Sequence, residues 1–558
     1  MNNALRIALA QINCTVGDLN GNYNKVIEYI RKADNSGADI VAFPELTITG
    51  YPPEDLLLKP KFISDNLEII NKLSKKIKKI VAIVGFVNKQ KNNLFNSAAI
   101  IYDGKIKGIY NKMILPNYGV FDEKRYFHQG DNPIVFKYGK YIFGVGICED
   151  IWNENTPIKK QVQLGADIIF NINASPYYAG KIKLRESIIQ KQAKSNNIRV
   201  VYVNLVGGQD ELVFDGQSMI IDNNGKFLGK SLAFNEDLFI TDINIPLKKI
   251  KKNQKIINIT NQIPIKSKIK LPEKNIKPLK PIEEIYNALL LGLSDYVRKN
   301  GFKKVVIGLS GGIDSALVAA LAVDSLGKEN VTGVFMPSQY SSTESGEDAK
   351  QLAYNLGIRF STIPINQIYK TYLYVLKQTF KGHKQDITEE NLQARIRGNL
   401  LMALSNKFGC MVLTTGNKSE MSAGYATLYG DMAGGFAVIK DVPKILVYKL
   451  SEYRNSLYKV IPKRILTKAP TAELRPNQKD SDTLPKYEIL DPILKAYIED
   501  DMDMEQIVLM GYEKNVVTKI ISMVDRSEYK RRQSPPGIKI TYKAFGKDRR
   551  MPITNGYR

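Results

Sequence analysis

Short apolar runs alternate with helical spacing along the first 245 residues. The runs "RIALAQI" from Arg6, "DIVAFPE" from Asp39, "IVAIVGFV" from Ile80, "YIFGVGIC" from Tyr141, "DIIFNINAS" from Asp167 and "IRVVYVNLV" from Ile198 read as strands. "YDGK" (Tyr102–Lys105) and "DNNGK" (Asp222–Lys226) carry hairpin turn signals. That mixture predicts layered α/β structure with antiparallel insertions. From 247 to 281 lysine and proline dominate and the helical period fades, which predicts a linker. Beyond it "KKVVIGLS", "NVTGVFMP" and "IRFSTIPI" alternate with helical stretches, the rhythm of a doubly wound parallel sheet. The expected domains are therefore 1–246 and 282–558, joined by 247–281.

Composition changes this picture little. No apolar run approaches the roughly 18 residues of a membrane span, and "ALRIALAQIN" is too short for a secretory signal. A cytoplasmic protein without membrane partners is expected. Three cysteines in 558 residues, none at zinc spacing, exclude a disulfide scaffold. A net charge of +24 raises the question of nucleic acid. The lysine runs "NKLSKKIKKI" and "KKIKKNQK", however, read as a wet helix face and a linker, and no aromatic-interleaved recognition module appears. No nucleic-acid partner is expected.

The strongest chemical signal is "VVIGLSGGIDSALVAALAVDSLG", Val305–Gly327, an apolar strand entering a glycine turn and a helix. Unpaired N–H groups at the positive end of a helix suit a phosphate. The lysine of a GxxxxGK[ST] loop, which reaches the β- and γ-phosphates, is missing, so the β–γ bond is not the expected target. Ser310, Ser315 and the backbone from Gly311 to Ser315 suit a pyrophosphate that leaves whole, with Asp314 as a carboxylate for Mg²⁺. An ordinary serine-capped helix start is the alternative. The turn resembles that of the N-type ATP pyrophosphatases, which implies ATP contacts from Gly308, Leu309, Ser310, Gly311, Gly312, Ile313, Asp314 and Ser315.

Cys148 ends a strand and is followed by Glu149 and Asp150. A free thiol has a pKa of about 8.5 and adjacent acids raise it, so a nucleophilic role demands a base and a compensating cation. His128 and His383 are the only histidines. Glu45, at the end of "DIVAFPE", is a candidate base, and Lys112, past the first hairpin, a candidate oxyanion cation. Individually these residues also read as a solvated acid, a surface lysine and a core cysteine. Together they resemble the Glu-Lys-Cys triad of the nitrilase (carbon–nitrogen hydrolase) family. Glu123 in "GVFDEK" matches that family's additional buried glutamate, or is a plain loop carboxylate.

"NASPYYAGKIKLRES" follows the next strand and brings Ser175, Tyr177, Lys181 and Arg185 toward the same sheet end. An amino-acid amide needs a cation for its carboxylate and an acid for its ammonium; Arg185 and Glu149 suit those roles. An exposed helix start is the alternative for Lys181 and Arg185. Over its whole length the chain resembles the glutamine-dependent NAD synthetases, in which this segment and Tyr118 of "LPNYGVFDE" line a glutamine pocket. The resemblance implies a nitrilase-like α-β-β-α sandwich fused to a doubly wound ATP pyrophosphatase domain. It implies glutamine or ammonia, ATP with Mg²⁺, and deamido-NAD as substrates, and a homo-oligomer. In "TTGNKSEMSAGYATLYGD" it sets Thr415 beside ATP and Glu420 beside Mg²⁺ or the dinucleotide. In "ENLQARIRGN" it assigns Asn391, Arg395 and Arg397 to the dinucleotide's phosphates and ribose. The resemblance further implies that Met336 borders adenine, that Lys444 and Thr471 contact ATP, and that Lys543 reaches the dinucleotide. Leu428 departs from the pattern, since ammonia-only synthetases carry a lysine before "YGD". The rivals are a sulfur or nitrogen transferase acting on RNA, a non-catalytic scaffold, and an amidotransferase for another carboxylate.

Overall fold

The apolar runs of the first half are apolar on both faces, so each sheet they form needs cover on both sides. The computed structural model describes residues 4–153, 156–245, 256–272, 276–476 and 478–557. By internal contacts the chain divides into a unit of residues 1–209 with 213–279 and a unit of 210–212 with 280–558.

In the first unit a six-stranded sheet runs in the order Asp237–Asn244, Ala4–Gln11, Ile40–Ala42, Val81–Gln90, Asn93–Tyr102, Lys105–Asn111. Its three central strands are parallel and its flanks antiparallel. A seven-stranded sheet runs Phe227–Lys230, Met219–Ile221, Arg199–Asn204, Ile168–Asn173, Tyr141–Ile147, Val135–Tyr138, Ile256–Thr260. Leu9, Ile83 and Ile100 from the first sheet share one buried core with Phe143, Phe170 and Val201 from the second. Helices cover the outer faces: Pro60–Lys76 lies against Val81–Gln90, and Ile189 and Ala193 of the helix Lys181–Asn196 pack on Ile169 and Val200. The result is the α-β-β-α sandwich.

The expected linker is partly strand. Ile256–Thr260 pairs parallel with Val135–Tyr138 and covers what would be an open edge. The surrounding lysines and prolines hide this short "IINIT" run from a composition-based reading. Residues 246–255 and 273–275, which include the run "KKIKKNQK", lie outside the described residues.

The second unit holds a five-stranded parallel sheet in the order Arg359–Thr362, Val331–Phe335, Val305–Gly308, Met411–Thr414, Phe436–Ala437. Strand order reverses between Val305–Gly308 and Met411–Thr414, the switch point where such sheets open a crevice at their C-terminal ends. The alanine-rich helix Ile313–Leu326 is buried around most of its circumference, which explains its lack of a polar face. Among the described residues no helix is long and apolar enough to cross a membrane.

Candidate active sites

Glu45, Lys112 and Cys148 meet in the first unit. Lys112 Nζ stands 2.8 Å from Glu45 Oε1 and 2.8 Å from Glu123 Oε1, and the Lys112 and Glu45 side chains are fully buried. Asn96 Nδ2 donates to Glu45 Oε1 at 2.7 Å and the Ala174 N–H to Oε2 at 2.9 Å, so Glu45 is held from both sheets. Gly85 permits the close approach: a Cβ there would lie 2.4 Å from Pro44 O. Cys148 adopts φ +44, a left-handed strain in a non-glycine residue, where the strand Tyr141–Ile147 breaks into a short 3₁₀ turn. Burial, with Glu45 nearby, pushes the Cys148 thiol well above its usual range, and Lys112 opposes that rise. The cysteine therefore rests protonated and requires the base the sequence suggested. Burial pushes Glu123 up to about 7 against the pull of Lys112, with Glu45 adding repulsion. Burial alone would discharge Lys112, but Glu123 and Glu45 more than offset it and its ammonium is retained.

Asp150 was not singled out by sequence, yet it organises this centre. Its Oδ1 accepts from the N–H groups of Met113 (3.1 Å) and Ile114 (2.9 Å), and its Oδ2 from Ile147 N–H (3.0 Å) and Tyr110 OH (2.9 Å). One buried carboxylate thus ties the residues after Lys112 to the residue before Cys148.

Beside them Tyr118 OH donates to Glu149 Oε2 at 2.9 Å, while Tyr118 itself is 57% exposed. Burial raises the Glu149 carboxyl, and the Tyr118 bond, Lys112 and Lys181 oppose that rise. Lys181 Nζ donates to Pro176 O at 2.7 Å and lies over the rings of Trp152 and Tyr178. Ser175 is buried, its N–H donating to Asn204 Oδ1 at 3.0 Å. Tyr177 is buried edge-on to Phe234. Arg185 carries a built-in partner. It is fully buried, and both terminal nitrogens bond the two oxygens of Asp215 at 3.0 Å. Asp215 neutralises the guanidinium through its two terminal nitrogens, while the buried Nε has no hydrogen-bond partner.

In the second unit a cavity of about 530 Å³ opens where the strand order reverses. Gly308 through Ser315, Met336, Thr415, Lys444 and Thr471 all line it, as do Asn391, Arg395, Arg397 and Glu420. The turn is preorganised: the Gly312 N–H donates to Ser310 Oγ at 3.2 Å, and Ser310 Oγ and Ser315 Oγ are 3.2 Å apart. Gly311 has φ +76, and a Cβ there would lie 2.4 Å from Ser345 O, so only glycine fits. Lys444 Nζ is 2.5 Å from Asp314 Oδ2 and 3.3 Å from Glu420 Oε1. Burial pushes Glu420 up to about 8; Lys444 opposes the rise, and Asp314 and Asp480 add to it. Asp314 and Glu420 share the Lys444 ammonium, and their oxygens are of the hard type that suits Mg²⁺; among the described residues no group of three or more acids closes into a metal cage by itself.

Asn391 Oδ1 accepts from Thr427 Oγ1 at 2.8 Å, and Arg395 Nε donates to Leu428 O at 3.2 Å, so both are braced by the loop carrying "YGD". At the departing position it is the Leu428 main chain that does the bracing. Lys543 does not line the cavity. It is paired with Asp501 at 2.5 and 2.7 Å. Asp441 accepts from the Ile540 and Thr541 N–H groups, both at 2.8 Å, and so holds the C-terminal segment that carries Lys543. Lys530 lines the cavity instead, its Nζ donating to Gly424 O (2.8 Å) and Ala426 O (3.0 Å).

A carbon–nitrogen hydrolase family model matches residues 6–249, and an NAD synthase model matches 285–534. A glutamine-dependent NAD(+) synthetase of Thermotoga maritima is 49% identical, with 99% of each chain covered. Another, from Acinetobacter baylyi, is 46% identical over 100% of this chain and 99% of its own. The solved structure of a glutamine-dependent NAD+ synthetase from Acinetobacter baumannii, in complex with adenosine diphosphate, is 44% identical with TM-score 0.77, covering 100% of this chain and 99% of that one. This chain belongs to the glutamine-dependent NAD(+) synthetase family. It is an ATP-dependent ligase with a carbon–nitrogen hydrolase domain and an NAD synthase domain.

Within this synthetase the Glu45–Lys112–Cys148 cluster falls in the first matched segment and the cavity in the second. Sequence reasoning missed Lys468 and Glu473, which also line the cavity. Glu473 Oε1 accepts from Lys468 Nζ (2.8 Å), Ser345 Oγ (2.7 Å) and Ser342 Oγ (2.9 Å) and fastens the Thr471 loop to the start of the helix Thr343–Leu356. The one available signal was the proximity of both residues to Thr471 in "TKAPTAE".

Proposed function

We propose that this synthetase releases ammonia from L-glutamine at Cys148 and uses it to amidate deamido-NAD activated by ATP, giving NAD, AMP, pyrophosphate and glutamate. What carries the reading is the occurrence in one chain of a buried Glu45–Lys112–Cys148 cluster and a lysine-free SGGIDS turn opening a nucleotide-sized cavity. The functional domains in this reading are 1–246 and 282–558.

In the first half-reaction Glu45 takes the Cys148 proton as Sγ attacks the carboxamide carbon. Lys112 balances the negative charge that develops on oxygen. Ammonia leaves with the proton returned by Glu45; water, deprotonated by Glu45, then attacks the thioester carbon, the C–S bond breaks to release glutamate, and Glu45 returns its proton to Cys148 Sγ. Glu149, steadied by Tyr118, takes the substrate ammonium. Ser175, Tyr177 and Lys181 shape the pocket, and Arg185 supports it through Asp215. In the second, a carboxylate oxygen of deamido-NAD attacks the α-phosphorus of ATP. The bond from that phosphorus to the bridging oxygen breaks, and pyrophosphate leaves with the electron pair onto the Ser310–Ser315 turn. Ammonia then attacks the acyl carbon, AMP leaves, and the excess proton passes to solvent. Bound at Asp314 and Glu420, Mg²⁺ supplies charge neutralisation for the phosphates. Lys444 and Thr415 hold ATP, Thr471 closes over it, and Asn391, Arg395 and Lys530 face the dinucleotide. A homo-oligomer belongs to the same reading; exposed side chains such as Tyr374 and Phe408 offer apolar surface for it.

The deciding assay supplies deamido-NAD, ATP, Mg²⁺ and glutamine to the purified chain. NAD formed with equal AMP and pyrophosphate is expected. ADP and phosphate instead would overturn the reading.

A further inference from the structure

Arg397 is a cation without an anion in the nucleotide cavity. It stands on the helix Ile387–Phe408 and lines the cavity, with its Nε donating to Met336 O at 2.9 Å. Among the described residues no ion pair and no second hydrogen bond engages its guanidinium. Glu473, the acid that acts on it, is already engaged with Lys468. Burial pulls the Arg397 pKa down to about 10, with Glu473 the opposing influence. A half-buried guanidinium lining a cavity, with one hydrogen bond and no ion pair, suits a site where the anion arrives with a ligand.

The packing says which part of the ligand it meets. Met336 follows the strand Val331–Phe335. Leu401, one turn along the same helix face from Arg397, would lie 3.4 Å from a Cβ on Gly308, as would Met336 Cε. The helix therefore packs on the C-terminal end of the strand Val305–Gly308 through Leu401, and Arg397, one turn earlier, is tied to the end of the neighbouring strand at Met336 O and lines the same cavity as the SGGIDS turn. With Nε tied to Met336, the two terminal nitrogens remain for two oxygens of one phosphate.

We infer that Arg397 binds the α-phosphate of ATP, between an adenine at Met336 and a pyrophosphate on the Ser310–Ser315 turn, and stabilises it during adenylyl transfer. The inference rests on the reaction proposed above. As the carboxylate oxygen bonds to the α-phosphorus and the bridging oxygen departs with its electron pair, charge stays on the non-bridging oxygens that Arg397 holds. Arg397 takes and gives no proton.

The test uses the full chain with ammonium as nitrogen donor, comparing wild type, Arg397→Met and Arg397→Lys on ATP and on the Rp and Sp diastereomers of ATPαS. Arg397→Met should lower kcat about 100-fold, the size of losing one transition-state donor, and Arg397→Lys should restore part of it. The KM for deamido-NAD should stay within about threefold, and the Sp-to-Rp turnover ratio should shift about tenfold in both variants. An unchanged ratio in Arg397→Lys overturns the inference even if Arg397→Met fails to fold, and so does a loss confined to the KM for deamido-NAD. If wild type releases no AMP and pyrophosphate, the proposed reaction itself fails. If it does, and the ratio is unchanged, only the assignment of Arg397 fails.

Discussion

Lys112 and Glu45 form an ion pair sealed from solvent, Nζ to Oε1 2.8 Å, with Glu123 at the same distance on the other side of the ammonium. Removing one member of such a cluster leaves uncompensated charge in the interior. Lys112→Met should destabilise the chain by about 3–5 kcal/mol and abolish glutamine hydrolysis. Adding Glu45→Gln should recover part of the stability and none of the activity. Denaturant titration of the single and double variants checks the first claim and a glutaminase assay the second. Equal stabilities would sink it.

Cys148→Ala removes only the nitrogen source. NAD synthesis from glutamine should fall to background, and high ammonium should restore it, because free ammonia reaches the acyl adenylate from solvent. Loss of the ammonium-supported reaction in a folded variant would refute the division of labour between Cys148 and the SGGIDS turn.

Asp150→Asn keeps the shape of the side chain but sets an amide NH₂ against backbone N–H donors. The buried mismatch should cost about 1–3 kcal/mol. Because it loosens the strand ends after Lys112 and before Cys148, kcat for glutamine hydrolysis should fall more than its KM rises. Ammonium-supported synthesis should stay near wild type. A steady-state comparison of both nitrogen donors decides this; equal losses with both would show Asp150 acting only on stability.

Glu420 links pH to the proposed Mg²⁺ position. Its carboxyl is raised to about 8 in the folded chain, against about 4.3 unfolded. The folded state holds that proton more tightly, so this group favours folding below about pH 4.3, and its contribution fades as pH climbs to about 8. Mg²⁺ bound there as proposed would have to displace the proton. The Mg²⁺-induced rise in Tm should therefore be larger at pH 8.5 than at pH 6.5, and Asp314→Asn should shrink it at both. A pH-independent Mg²⁺ shift in thermal melts would contradict this.

Two kinds of information separate in this chain. The sequence by itself determined the strand–turn–helix of the SGGIDS segment, the sheet-bearing apolar runs and the candidates Glu45, Lys112 and Cys148, because these depend on local backbone preference and on residue types the chemistry requires. Which charges are available to a ligand was decided only by tertiary structure. Arg185 and Lys181 look alike beside "NASPYY", yet Arg185 is paired with Asp215, thirty residues away, and Lys181 with the Pro176 carbonyl. Lys543 and Lys530 both lie in a basic C-terminal stretch, yet the fold pairs Lys543 with Asp501 and sets Lys530 against the Gly424 and Ala426 carbonyls at the cavity. Asp150 and Ile256–Thr260 acquire their meaning from partners in other strands. A charge's role is set by what neutralises it and an edge strand's by what it covers, and both partners are brought near only when the sheets assemble.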